Sequence, residues 1–179
     1  HKGNFEIAKE MIQRAKVYCN ADIVKFQKRN NRELLGEDGY NAPHPNPANS
    51  YGETYGKHRD FLEFTAEQHG QLKKYCEEIG IIYSTSVWEL TSAKEIAELH
   101  PKLIKIPSAC NNNYEMLNWL CNNYEGEIHV SVGMTEKESI QKIVNLFVKN
   151  NRNQDLVLYS CTSGYPVPFE DICLLEISR

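Results

Sequence analysis

Two lysines occupy matching positions in two short apolar runs of the sequence. Lys25 lies in the run Ile23–Gln27, and Lys105 lies in the run Leu103–Ser108. Both runs are typical of β-strands, in which side chains two residues apart share a face, so Lys25 and Gln27 point to the same side. A lysine that faces the interior of a protein is costly unless it meets an anion or reacts with a substrate. Two such lysines therefore predict a site for an anion.

Hydroxyl side chains follow the ends of the same runs and of their neighbours. They are Ser84, Thr85 and Ser86, then Ser108, then Ser131, and finally Thr162 and Ser163. Serine and threonine hydroxyls bind phosphate oxygens well where small residues such as Gly133 let the backbone approach. A single hydroxyl of this kind more often caps a helix. It is the whole group, together with the two lysines, that indicates a site for a phosphorylated anion.

The apolar runs alternate along the chain with amphipathic helical segments. The runs are Ala21–Gln27, Ile81–Val87, Leu103–Ser108, Ile128–Val132 and Leu156–Cys161. Their nearly continuous apolar character is typical of parallel strands covered on both faces. Strict alternation of strand and helix leaves two architectures, an open doubly wound sheet and a closed barrel. No GxGxxG or Walker-type loop follows any run, and polar residues gather at the run ends, which favours an α/β fold of the (β/α)8 TIM-barrel type.

Local signals predict where helices start and where the chain is irregular. A Ser or Thr followed three residues later by Glu or Gln predicts a helix start at three places: Thr65 with Gln68, Ser92 with Glu95, and Thr135 with Glu138. Gly80 is expected to end the first of these helices. The segment Asn41–Arg59 is rich in Asn, Pro, Gly and Tyr and has no period. It predicts a long loop, either a lid or binding loop or a solvated surface loop.

The composition excludes several classes of protein. The chain has 179 residues, 41% hydrophobic and 25% charged, with a net charge of −4, which predicts one domain and neither nucleic acid nor a membrane surface as partner. No apolar run approaches the roughly 20 residues that cross a bilayer. The six cysteines show no CxxC spacing, so we expect buried free thiols in a reducing, cytoplasmic protein. The histidines show no HExxH or similar spacing, so no metal site is expected among these residues. His129 lies within a predicted strand, where we expect a hydrogen-bonded core position or a helix-facing one rather than a metal ligand.

Read in order, the strand-end motifs resemble the sialic acid synthase family. The matching stretches are residues 1–3 (HKG), 24–27 (VKFQ), 51–64 (YGETYGKHRDFLEF), 83–90 (YSTSVWEL), 104–113 (IKIPSACNNN), 129–135 (HVSVGMT) and 161–177 (CTSGYPVPFEDICLLEI). They span almost the whole chain. The combination of KIPSA, SxGMT and CTxxYP is specific, whereas any one of these motifs alone is not.

The resemblance implies a (β/α)8 barrel that condenses phosphoenolpyruvate with N-acetylmannosamine or a related N-acetylhexosamine and releases phosphate. By motif, the residues that would hold phosphoenolpyruvate are Lys25, Thr85, Lys105, Ser108 and Ser131, with the two lysines as the catalytic candidates. Gln27 and Tyr165 would lie beside the sugar, and Ser163 is a further substrate-binding candidate. A divalent metal, usually Mn²⁺, would take part, but the stretches that carry its histidine ligands in the family are not in this sequence. The parent protein would be a homodimer.

By the same resemblance, residues 1–179 would form strands two to six of the barrel. The first strand, the last two strands and a C-terminal antifreeze-like domain would be absent, so we expect the chain to be part of a longer protein. An isolated fragment with open sheet edges would be inactive and poorly soluble. Two other functions fit the residues. One is a Schiff-base aldolase that uses Lys25 or Lys105, and the other is a non-catalytic barrel that binds a sugar phosphate.

Overall fold

A computed structural model describes residues 1–178 and contains one sheet of five parallel strands. The strands are β1 (Ile23–Lys28), β2 (Ile82–Val87), β3 (Leu103–Ile106), β4 (Glu127–Ser131) and β5 (Leu156–Tyr159). The helices are α1 (Phe5–Cys19), α2 (Asn31–Asn41), α3 (Tyr55–Leu62), α4 (Ala66–Ile79), α5 (Leu90–Ala97), α6 (Tyr114–Asn123) and α7 (Lys137–Lys149). Short 3₁₀ turns cover Pro47–Asn49, Ser108–Cys110, Asn153–Asp155, Phe169–Asp171 and Leu174–Ser178. Each predicted apolar run thus overlaps a strand, although β1 ends one residue after its run and β4 begins one residue before its run.

The order of the strands decides between the two architectures. Each strand pairs in parallel with the next one along the chain, from β1 through β5. A doubly wound sheet reverses its strand order at a switch point, whereas a (β/α) barrel adds every new strand on the same side. The sheet is therefore an arc of a (β/α) barrel, which confirms the predicted fold class.

The apolar core lies between the outer face of this arc and the helices. Ile104, Ile106, Ile128 and Val130 on β3 and β4 have no exposed surface. They pack against fully buried side chains of α5, α6 and α7: Ile96, Met116, Leu117, Leu120, Ile143 and Phe147. Burial of each side chain of this size adds about 1.5–3 kcal/mol to the free energy of unfolding. This layer fixes the strands, so the alternate side chains of β3 and β4 take the other, concave face.

The capping signals were correct at one of the three predicted helix starts. At α4, Gln68 N donates to Thr65 Oγ1 at 3.2 Å and Thr65 N donates to Gln68 Oε1 at 2.9 Å, which completes the capping box. Gly80 ends the same helix with φ +71, a conformation that glycine adopts without strain. Both features of α4 are therefore confirmed.

The other two predicted starts were wrong. Helix α5 starts at Leu90, and its cap is the Glu89 carboxylate, which accepts from Ser92 N at 2.9 Å, so Ser92 lies inside the helix. Before α7, the Thr135 hydroxyl donates to Gly133 O at 2.9 Å instead of capping the helix, whose N-cap residue is Glu136. The N-cap residue is Glu89, three positions before Ser92, at α5, and Glu136, directly after Thr135, at α7.

The predicted loop is shorter than expected, because helices occupy both of its ends. Helix α2 runs to Asn41 and α3 starts at Tyr55, so Tyr55, His58 and Arg59 are helical and only residues 42–54 lack a regular helix or strand apart from one 3₁₀ turn. The two helices touch where the ring of Tyr40 lies against Gly56, and the Tyr40 hydroxyl donates to Asp60. This contact holds α3 beside the end of β1.

All six cysteines carry free thiols in the structure, as expected, but only three of them are buried. Cys76, Cys110 and Cys121 are buried, whereas Cys19, Cys161 and Cys173 are exposed. Within residues 1–178, no helix has the length and apolar character that a membrane crossing requires.

Replacing Gly56 by alanine tests the contact between α2 and α3. A Cβ atom at this position would collide with the Tyr40 ring, so Gly56→Ala should destabilise the protein by about 1–3 kcal/mol. Gly39→Ala is the matched control, because its Cβ would lie 3.5 Å from Leu35 Cβ, an ordinary contact. The control should change stability by less than about 1 kcal/mol. Urea unfolding of the full-length protein measures both, and equal effects would contradict the described contact.

Candidate active site on the concave face

The pairing register of the strands decides which side chains share the concave face. Residues paired across a parallel sheet point to the same side. The pairs that connect the concave side chains are Lys25 with Ser84, Gln27 with Ser86, Ser86 with Lys105, Lys105 with His129, and Ser131 with Tyr159. One face of the arc therefore collects both predicted lysines, two serines of β2 and a histidine.

Lys105 lies at the centre of this face and is only 9% exposed. Its Nζ donates to Ile106 O at 2.8 Å and to Ser131 Oγ. Burial lowers the pKa of Lys105 to about 8; the nearby Cys161 acts in the raising direction and the charge of Lys25 in the lowering one. At neutral pH the side chain is still mostly an ammonium group with three donors. Two donors are engaged inside the protein, which leaves one for an anion.

Lys25 lies on the same face, nearer to the open side of the arc. Its Nζ donates to Ser86 Oγ at 3.1 Å, and partial burial lowers its pKa. Ser86 pairs in register with Lys105. The Ser86 side chain therefore lies between the two lysines, and the structure brings together the two cations that the sequence assigned to one anion site.

Three loops meet at Gly133, beyond the carboxyl ends of β3, β4 and β5. Gly133 N donates to Ser108 Oγ at 3.2 Å. A Cβ atom at Gly133 would lie 2.9 Å from Ser108 Oγ and 2.6 Å from Ser163 Oγ, so only glycine allows this approach. The thiol of Cys161 donates to Ser131 Oγ at 3.3 Å. Ser108, Ser131 and Ser163 are thus gathered at one rim, next to Lys105.

Asn111 joins these loops and was not among the sequence-derived candidates. It is 4% exposed, and its Nδ2 donates to Ser131 O at 3.0 Å and to Thr135 Oγ1 at 2.5 Å. Asn111 lies in the polar run after Ser108, which is part of a motif shared with the family. The motif does not show which groups the Asn111 side chain contacts. The amide ties the loop after β3 to the loop after β4 and so holds Ser131 beside Lys105.

Thr85 does not lie with this group, and its expected placement was wrong. It pairs with Phe26 and Ile104, both on the helix-facing side of the sheet, and it is fully buried there. Because side chains alternate along a strand, Ser84 and Ser86 take the concave face and Thr85 takes the other. Ser86, and not Thr85, lies beside the two lysines.

Of the two residues expected beside the sugar, Gln27 lies on the concave face and Tyr165 does not. Gln27 is on the concave face, and its Oε1 accepts from Arg29 Nη2 at 2.6 Å and from Trp88 Nε1 at 3.1 Å. Arg29 is held in turn by Glu63 through a 3.2 Å ion pair. Tyr165 is fully exposed in the segment after β5, and the structure does not bring it to the lysines.

His129 was expected at a hydrogen-bonded core position or on the helix-facing side of its strand. The structure places it on the concave face, 8% exposed, with Nδ1 2.9 Å from the Tyr159 hydroxyl and Nε2 2.9 Å from Glu127 Oε2. The hydrogen-bonded alternative is therefore correct and the helix-facing one is wrong. The sequence shows that Glu127, His129 and Ser131 share one face of their strand. Only the pairing of His129 with Lys105 shows that this is the concave face.

This arrangement can bind a small anion by charge and by hydrogen bonds at once. Two ammonium groups and the hydroxyls of Ser86 and Ser131 lie together on the concave face. The apolar core lies behind them, on the other side of the sheet. Within residues 1–178, no group of three or more His, Cys, Asp or Glu side chains could hold a metal ion. The chemistry that these residues offer is anion binding and neutralisation of negative charge.

The fold makes the chain part of a (β/α)-barrel protein, and its candidate anion site lies on the concave face of the sheet. Residues 11–179 match the NeuB family, and the chain belongs to that family.

Curated relatives agree with this membership, and a solved structure shares the fold. The N-acetylneuraminate-9-phosphate synthases of Homo sapiens and Mus musculus are each 33% identical to the chain over 184 residues, which cover 100% of this chain and 48% of each relative. The chain thus spans about half the length of these relatives. The crystal structure of the N-acetylneuraminic acid synthetase of Leptospira borgpetersenii matches 99% of this chain and 56% of its own, with a TM-score of 0.82 at 22% identity.

Replacing Lys105 by methionine tests whether its burial costs stability. The unfolded chain keeps the proton up to the ordinary pKa of 10.5, whereas the folded protein keeps it only up to about 8. Below pH 8 Lys105 is charged in both the folded and the unfolded protein, so the full cost of desolvating the charge lowers the free energy of unfolding. Lys105→Met should therefore be more stable than the wild type by up to about 3 kcal/mol below pH 8, and the gain should shrink as pH rises towards 10.5.

Lys102→Met is the control for this comparison, because Lys102 is exposed just before the same strand. Its effect on the free energy of unfolding should be small and should not follow this pH dependence. Chemical unfolding of the full-length protein from pH 6 to 10 measures the difference. A Lys105→Met gain that is absent, or that grows with pH, would contradict the described burial.

Proposed function

We propose that this chain forms part of a synthase that condenses phosphoenolpyruvate with N-acetylmannosamine or a related N-acetylhexosamine and releases phosphate. The observation that carries the proposal is the pair Lys25 and Lys105 on one concave face, on either side of Ser86. The names of the relatives support an acidic amino-sugar product. A cytoplasmic homodimer remains a prediction from the sequence.

Phosphoenolpyruvate carries a phosphate and a carboxylate within a few ångströms of each other, and the two ammonium groups match this pattern of charge. In the proposed reaction the enol C3 attacks the sugar aldehyde carbon, water adds at C2, and phosphate leaves as its bond to C2 breaks. Lys25, Lys105 and the hydroxyls of Ser86 and Ser131 would hold the anion so that C3 faces the aldehyde, a proximity effect. The same groups would neutralise the charge on the departing phosphate.

The resemblance also implies a divalent metal, most often Mn²⁺. The residues that the structure describes do not assemble a ligand set for it, so no step is assigned to a metal here. Manganese is kept as a component of the assay.

Release of phosphate tests the proposal. The full-length protein is given phosphoenolpyruvate, manganese and a panel of N-acetylhexosamines, each with and without a 6-phosphate. Sugar-dependent release is expected, and Lys105→Ala should reduce it by roughly 100-fold or more, because a buried positive charge at the anion is lost. Binding of phosphoenolpyruvate without release for any sugar would instead favour the non-catalytic barrel.

A pair of neighbouring substitutions tests the strand register at the site. Ser86→Ala removes a hydroxyl beside both lysines and should weaken phosphoenolpyruvate binding by roughly 10- to 100-fold, the cost of one hydrogen bond to a charged group. Thr85→Val removes a hydroxyl of similar size on the helix-facing side and should leave binding unchanged. Calorimetric titration with phosphoenolpyruvate compares the two variants. A larger effect of Thr85→Val would show that the register is wrong.

One observation favours a second function, the Schiff-base aldolase. A lysine whose pKa is lowered to about 8 by burial is more readily deprotonated and can attack a carbonyl. Borohydride reduction in the presence of pyruvate separates the two reactions, because the synthase forms no imine. Mass spectrometry that finds a reduced adduct on Lys105 would replace the synthase by the aldolase.

A further inference from the structure

A chain of three side chains on β4 and β5 ends at the buried lysine. Glu127 Oε2 lies 2.9 Å from His129 Nε2, and His129 Nδ1 lies 2.9 Å from the Tyr159 hydroxyl. The Lys105 Nζ lies 4.9 Å from the centre of the Tyr159 ring, over its face. His129 and Glu127 do not reach Lys105 through hydrogen bonds of their own in the described contacts. Tyr159 is the member of this chain that contacts the Lys105 ammonium.

The chemistry of the three groups determines which of them donates each hydrogen bond. A carboxylate only accepts hydrogen bonds, so His129 donates from Nε2 to Glu127. In neutral imidazole the other nitrogen, Nδ1, is then an acceptor, and the Tyr159 hydroxyl donates to it. Donation from the hydroxyl moves electron density onto the phenol oxygen and its ring, because successive hydrogen bonds polarise one another. The ring face that covers the ammonium becomes more negative.

We propose that Tyr159 is a positioning residue that keeps Lys105 protonated and aimed at the anion, and that His129 and Glu127 fix the ring for this task. An ammonium group over an aromatic face is stabilised relative to the neutral amine, and the effect grows when water is excluded. Lys105 is 9% exposed, so the ring replaces part of the water that burial removes. The role in binding phosphoenolpyruvate rests on the proposed function, whereas the effect on Lys105 itself does not.

The other groups that face Lys105 leave room for such a contribution. Ser131 from β4 and Ile106 O accept its hydrogen bonds. The charge of Lys25 from β1 opposes protonation, and Cys161 after β5 favours it. Since burial is the largest influence and lowers the pKa, the Tyr159 ring is one of few groups that act in the opposite direction.

The test measures protonation of Lys105 directly. Trace acetylation of the full-length protein with acetic anhydride across pH, read by mass spectrometry, gives the midpoint at which Lys105 loses its proton. Tyr159→Leu should lower this midpoint by about 0.5–1 pH unit, and Tyr159→Phe, which keeps the ring face, by less than half as much. Circular dichroism confirms that each variant is folded, as expected for a side chain that is 42% exposed.

Tyr75→Leu is the matched control, because Lys9 Nζ also lies 4.9 Å from the centre of the Tyr75 ring, away from the site. It should leave the Lys105 midpoint unchanged. An unchanged midpoint in folded Tyr159→Leu would overturn the inference, and a Tyr159→Phe variant that shifts as far as Tyr159→Leu would overturn the part played by the ring face.

A second measurement separates this inference from the proposed function. Phosphoenolpyruvate binding is titrated at each pH, and in Tyr159→Leu the alkaline loss of affinity should begin at a pH lower by the same 0.5–1 unit. A wild type that binds no phosphoenolpyruvate, combined with the expected shift in acetylation, would reject the proposed function and leave the positioning role standing. Normal binding with no shift in either measurement would reject the positioning role alone.

Discussion

The desolvated ammonium of Lys105 is the constraint around which the concave face is arranged. A charge that is buried this far needs acceptors, and β4 supplies Ser131 while the strand of the lysine itself supplies Ile106 O. The lysine is held on the concave side because Ile104 and Ile106, its neighbours along the strand, are fixed in the core beneath the helices. The apolar layer thus determines where the charge can be, and the polar layer makes that position tolerable.

The loops beyond the strands hold the hydroxyl groups of the candidate site next to the two lysines. Gly133 lets the loops that carry Ser108 and Ser163 approach within a distance that no side chain would permit. Asn111 ties two of these loops together with its amide group. The rim is therefore held by backbone contacts and buried polar bonds, while the lysines remain the charged groups beneath it. Hydroxyl groups held by these loops beside two ammonium groups are a suitable arrangement for holding a small anion in one orientation.

The sequence allowed the strands, the fold class and the two lysines to be predicted, because all three depend on short periodic patterns. It failed for Thr85, because three adjacent hydroxyl residues in β2 must alternate between faces and only the pairing with Lys105 sets the phase. The face taken by His129 could not be read either, since its partner Tyr159 comes from another strand. The start of α5 was misplaced because a carboxylate, Glu89, caps it from just before the Ser92 signal. For Thr85 and His129 the deciding contact joins two strands, so only the fold sets it, whereas at α5 the contact is local and two candidate caps lie three residues apart.

The parallel register also limits which changes of chain length the protein can accept. Deletion of one residue inside β3 would turn Lys105 towards the helices and bring an isoleucine to the concave face, because side chains alternate at every step. A deletion in residues 42–54 would meet no such penalty, since no strand pairing passes through them. Gaps in an alignment with any relative are therefore physically admissible in that segment and inadmissible within the five strands, which gives a criterion for judging distant sequences by geometry instead of by identity.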